Sequence, residues 1–160
     1  MEEEIARFMI RAAKFEFYLV NKDRSLAQTR DVGALRVVAG VNWVMLAHKL
    51  QERHPFAMFN FYDTSFGIFV QTVPQFLVKT SDDRLAWDSD DPPIDCWDKL
   101  LCRGYSQLRN NIAHGNKEQV PAPFTIERTI QFIRAGDALV DFIAQELFAE
   151  VAWERPIVFQ

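Results

Sequence analysis

Cysteine is nearly missing from this chain: two residues, Cys96 and Cys102, with no CxxC pair. That spacing excludes a zinc ribbon and a thioredoxin-like motif, and both thiols are expected to be free and buried. Glycine and proline are few, 6 and 7, which excludes collagen-like and low-complexity chains. Basic residues are in the minority, 18 against 22 acidic, for a net charge of −4 and an isoelectric point near 5.4. Bulk-charge binding to duplex DNA does not fit that balance. No run of 18 apolar residues occurs, so no membrane partner is expected. The start, MEEEIARFMIRAAKFEF, lacks the basic-then-apolar pattern of a signal peptide. A reduced, cytoplasmic setting is the expectation.

What is present is an ordinary globular composition with a surplus of phenylalanine, 14 of 160 residues. Hydrophobic residues at 49% and charged residues at 25% exclude intrinsic disorder. The length suits one domain, placed at 1–153 with a C-terminal tail at 154–160. No internal repeat is found.

Helical spacing dominates the chain. Ile5, Phe8, Met9, Ala12, Phe15 and Leu19 recur at steps of three and four, which predicts a helix from Glu3 to about Lys22. Glu2, Glu3 and Glu4 suit its N-terminus. Leu35, Val38, Val41, Val44, Met45 and Ala47 predict a mostly buried helix from Asp31, as N-cap, to Arg53. Residues 56–79 suit strands by composition, yet Phe66, Phe69, Val73 and Phe76 keep helical steps, and a helix capped by Asp63, Thr64 or Ser65 is preferred. Ile94, Trp97, Leu100, Leu101, Leu108 and Ile112 form the stripe of a helix from about Pro93 to Ala113, with Gly115 as its C-cap. A polar loop with Pro121 and Pro123 leads to a last helix from about Thr125 to Val151. The fold class expected from this pattern is all-α, a bundle of four to five helices. A helix apolar all round together with exposed aromatics fits a homodimer.

Charge is unevenly distributed. Residues 81–98 hold seven Asp and one Arg, a local charge of −6, so the remainder of the chain carries about +2. The acidic stretch lacks the glycine and terminal glutamate of a calcium loop and is expected to be a solvated loop; a gate at residues 81–91 that repels RNA until a partner covers it rests on charge alone. Residues 101–117 hold Arg103, Arg109 and Lys117 with no acidic residue.

Functional side chains concentrate in Arg109-Asn110-Asn111-Ile112-Ala113-His114-Gly115. Arginine forks onto phosphate oxygens, a histidine near neutral pKa moves a proton, and asparagine hydrogen-bonds a base, a phosphate or a sugar hydroxyl. Those groups suffice for metal-independent RNA cleavage, in which the ribose 2′-OH attacks the adjacent phosphate. A helix C-terminus favours the protonated imidazole and suits a general acid. On an ideal helix Arg109 and His114 stand about 140° apart, whereas Asn110 and His114 share a face. A joint site therefore needs a frayed last turn, long reach or a second copy of the chain. A bare Arg-x(4–6)-His match is expected by chance about 0.7 times in this composition, and Asn directly after Arg at the four-residue spacing lowers that to about 0.01.

RNNIAHG resembles the signature of the HEPN superfamily, the higher-eukaryote and prokaryote nucleotide-binding domain. The resemblance implies a helical bundle that dimerises, with two motifs facing one cleft. It implies a cofactor-free, metal-independent endoribonuclease of a toxin–antitoxin or defence system, acting with an antitoxin or defence partner. On this resemblance Arg109 and His114 match the catalytic pair and Asn110 the polar position after the arginine. Arg103, Tyr105 and Asn111, on the same helix, are candidate RNA contacts, and no metal ligand is assigned. Asn116 stands where one toxin subgroup has tyrosine, a departure from that subgroup. Members without activity imply the alternative, a non-catalytic helical module that binds a protein or nucleotide.

Overall fold

The computed structural model describes residues 2–88, 92–114 and 126–154. Helix α1 (Glu2–Lys22) forms as its periodicity dictates, burying Phe8, Ala12, Phe15 and Leu19 and carrying three glutamates in its first turn. The next segment departs from the expected helix. Residues 27–41 form an antiparallel hairpin, β1 (Ala27–Val32) and β2 (Leu35–Val41), with Val32 opposite Leu35. Gly33, at φ +60, opens its two-residue loop, a backbone position where glycine carries no Cβ penalty. Asp31 therefore lies in β1 and caps nothing. The cap is Asn42, whose side chain accepts from the Met45 N–H, and α2 (Trp43–Arg53) is correspondingly shorter. Leu35 is 69% exposed, so the apolar run does not mark a buried helix.

The phenylalanine-rich segment is likewise not one long helix. It makes two 3₁₀ turns, Phe56–Met58 and Phe61–Asp63, then a single turn, α3 (Ile68–Gln71), and then strand β3 (Phe76–Lys79). Thr64 closes the second turn, its hydroxyl donating to the Phe61 carbonyl at 2.8 Å. Strand β3 pairs antiparallel with β4 (Leu85–Asp88). At the turn between them Asp82 pairs with Arg84 and Asp83 with Lys79, so the described part of the acidic stretch is partly self-neutralised.

A continuous helical run follows: α4 (Trp97–Lys99), a π segment (Leu100–Tyr105) and α5 (Ser106–His114). Cys96 precedes it in extended conformation, so the helix starts later than Pro93. Helix α6 (Ile126–Phe148) buries Phe132, Ile133, Leu139, Val140 and Ile143. The chain is thus mixed: helices built around one apolar core, with two two-stranded antiparallel ribbons among the described residues. The expected all-α bundle is corrected on that ground. β-Branched residues in 27–41 favour extended backbone over the helix their spacing mimics, and Gly33 supplies the turn between the two strands.

Helix α1 lies on α6 through Arg11, whose guanidinium meets Asp137 at 3.0 Å, Asp141 and Glu154 and sits over the Trp153 ring. Trp153 is buried and packs edge-on against Phe15. The Arg11–Glu154 contact ties the first residue of the expected tail to the core. No helix among the described residues is long and apolar enough to cross a membrane. Gly115, Asn116, Lys117, Pro121, Pro123, Thr125, the acidic residues 90 and 91 and the tail from 155 lie outside the described residues.

Candidate functional site

The motif stands on α5, and three contacts hold that helix in place. At its leading end the Trp97 indole N–H donates to the His54 carbonyl at 2.7 Å, anchoring the run to the end of α2. Along the π segment Gly104 passes close to α3, where an added Cβ would lie 3.2 Å from the Phe69 ring. Leu108 and Ile112 are buried in the core, and Leu108 lies close to Gly136 of α6. The wide π turn changes which side chains face inward, and Tyr105 falls in the core.

That placement separates the expected site residues. Tyr105 is buried against Phe8 and Trp43 and does not reach solvent, which corrects its assignment as an RNA contact. Burial pushes its hydroxyl well above the ordinary phenol value, Asp137 adds to the rise, and Arg11 opposes it. The phenol stays protonated at neutral pH. Asn111 is also engaged: its amide donates to the Gln75 carbonyl at 2.9 Å and accepts from Gln107 at 2.7 Å, fastening the start of β3 to α5. Arg103 is half-buried on the π segment.

Asn110 is exposed, and His114 is the last residue of α5. The helix runs unbroken through both, so they stand one turn apart on one face. Arg109 turns away toward α1 and forms an ion pair through Nη1 with Glu16 Oε1. The two side chains are 28% and 23% exposed, and burial lowers the guanidinium pKa from its ordinary value. The structure thus brings Arg109 to Glu16 and leaves Asn110 open to solvent. Glu16 is the charged neighbour of Arg109 that sequence reasoning missed. It lies beside the apolar stripe of α1, and no local pattern relates it to Arg109.

Other reactive groups lie elsewhere. Cys96 and Cys102 are free and half-buried. Cys102 donates to Asp98 at 3.6 Å, and burial, with the Asp98 carboxylate, pushes its thiol up to about 11. Cys96 and Asp98 line an open recess with Val44, Ala47, His48, Gln51 and Trp97. Among the described residues, none of Arg109 to Ala113 lines it. Among the described residues no three His, Cys, Asp or Glu side chains converge as a metal-binding group.

Comparison with protein-family models, with curated proteins and with solved structures finds no match to this chain.

Proposed function

We propose that the chain is a metal-independent endoribonuclease of HEPN type in its motif, cleaving single-stranded RNA by attack of the ribose 2′-OH on the adjacent phosphate. The observation that carries the reading is Arg109-Asn110 followed four residues on by His114, all on one helix with Asn110 exposed. His114 moves the proton, as base toward the 2′-OH or as acid toward the leaving 5′-oxygen. Arg109 stabilises the charge that gathers on the phosphate, and Asn110 orients His114 or the substrate. The products are a 2′,3′-cyclic phosphate and a 5′-OH.

One helix directs Arg109 and His114 about 140° apart, so a second copy of the chain supplies the complementary group in a shared cleft. The outer stripe of α1, where Ile10 is 59% and Phe17 is 71% exposed, supplies apolar surface for such a homodimer. A toxin or defence setting with a regulatory partner belongs to the same reading.

A second reading is a non-catalytic binding module, and the Arg109–Glu16 pair favours it, because that arginine is already occupied. Incubation of labelled single-stranded RNA with purified protein in EDTA, beside Arg109→Ala and His114→Ala, separates the two. Cleavage lost in both variants, with 2′,3′-cyclic phosphate ends, is expected of the nuclease. No cleavage by the wild type favours the module.

A further inference from the structure

We propose that Glu16 is a clasp on Arg109, a carboxylate that an RNA phosphate must displace before the guanidinium can act. The inference rests on the nuclease reading. Glu16 is thereby a gating residue and not a catalytic one.

Arg109 is largely covered by its neighbours, and removal from water disfavours its charge. A covered cation needs an anion, and Glu16 on α1 supplies it. The contact joins Arg109 Nη1 to Glu16 Oε1, a carboxylate oxygen that is itself buried. Both side chains keep about a quarter of their surface exposed, so a ligand can approach the pair from its open side although the pairing oxygen is covered.

Carboxylate and phosphate compete for the same fork geometry. A phosphodiester carries one negative charge, so the exchange conserves the charge beside Arg109 while offering more acceptor oxygens. The released Glu16 must turn to solvent, and its partial exposure leaves a path. At rest the pair cancels the positive charge that would attract RNA. The site is therefore electrostatically quiet until a phosphate is held by other groups, such as exposed Asn110.

The experiment uses the full chain carrying His114→Ala, so that labelled single-stranded RNA is bound and not consumed. Affinity is read by fluorescence anisotropy at low salt, and melting temperature is read with and without the RNA. Glu16→Gln is expected to tighten RNA binding about tenfold by freeing a charge-assisted contact. It lowers the melting temperature of the free protein, and RNA restores it. Glu16→Asp, which keeps the charge but withdraws it by one methylene, falls between and serves if Glu16→Gln does not fold. Adding Arg109→Ala removes the gain. Unchanged or weaker affinity in both Glu16 variants, while the parent binds RNA, overturns the clasp and leaves the nuclease reading standing. No RNA binding by the parent or by either Glu16 variant overturns both.

Discussion

Gly136 of α6 lies against the ring of Phe8 of α1: an added Cβ would stand 2.7 Å from Phe8 Cε2 and 3.4 Å from Leu108 of α5. Three helices meet at a point where only a hydrogen fits. Gly136→Ala gains about 1 kcal/mol of helix propensity but overpacks a core junction, which costs roughly 1–3 kcal/mol. A net loss of stability is expected in denaturant titration. A more stable variant would show that Phe8 can swing away, and that the approach of α1 to α6 is not set here.

Ala149 follows the last residue of α6 at φ +55, and its N–H donates to the Gln145 carbonyl at 2.9 Å. This is a left-handed helix cap occupied by a residue with a Cβ. The side chain is exposed, so no packing opposes its removal. Ala149→Gly is expected to raise stability by about 1 kcal/mol, seen as a higher melting temperature.

Asp23 accepts from the Ser25 hydroxyl at 2.7 Å and from its N–H at 2.9 Å, and pairs with Lys49 at 2.9 Å. These contacts, the Ser25 hydroxyl first, lower its pKa from 3.8 to about 2. A carboxylate depressed in the folded state stabilises fully above its unfolded value and ceases to as pH falls through the folded one. Asp23→Ala is expected to cost about 1 kcal/mol at pH 6. The difference from wild type narrows below about pH 4 and vanishes below about pH 2. A constant difference across that range would mean that the contacts act through shape and not charge.

Cys102, with its thiol pushed up to about 11, is protonated at pH 8. The thiolate is the nucleophile, so alkylation by iodoacetamide is expected to be slow there and to accelerate as pH approaches 11. Mass mapping of the labelled cysteines over time checks this. Rapid labelling of Cys102 at pH 8 would contradict the burial of its sulfur beside Asp98.

Asn111 joins α5 to the residue before β3 through the Gln75 carbonyl. Asn111→Ala leaves that carbonyl unpaired, and the expected cost is about 1–3 kcal/mol. Hydrogen exchange in residues 76–88 should rise more than in α1. If Asn111 instead contacts RNA, the variant weakens RNA binding with no change in exchange.

Long amphipathic elements were legible before any coordinates. The stripe of Phe8, Ala12, Phe15 and Leu19 repeats at the helical period and is buried as that period requires, and of the last helix's stripe Ile133, Leu139, Val140 and Ile143 are buried while Ile126 is exposed. The placement of RNNIAH on a helix ending at His114 was legible for the same reason. Residues 27–41 were not. Leu35, Val38 and Val41 are spaced as on a helix, but a run rich in valine and alanine satisfies both periods at once. Gly33 at φ +60 and pairing with β1 resolve it as a strand.

Sequence by itself determined that the first and last segments carry a helical apolar face and that Arg109, Asn110 and His114 stand close together on one helix, because both follow from residue type and local spacing. Tertiary structure alone decided that Tyr105 is core, that Asn111 is a strut for β3, and that Arg109 meets Glu16. Those outcomes depend on how the π segment turns α5 and on which helix lies beside it. Partners far apart in the chain share no local pattern that could announce them.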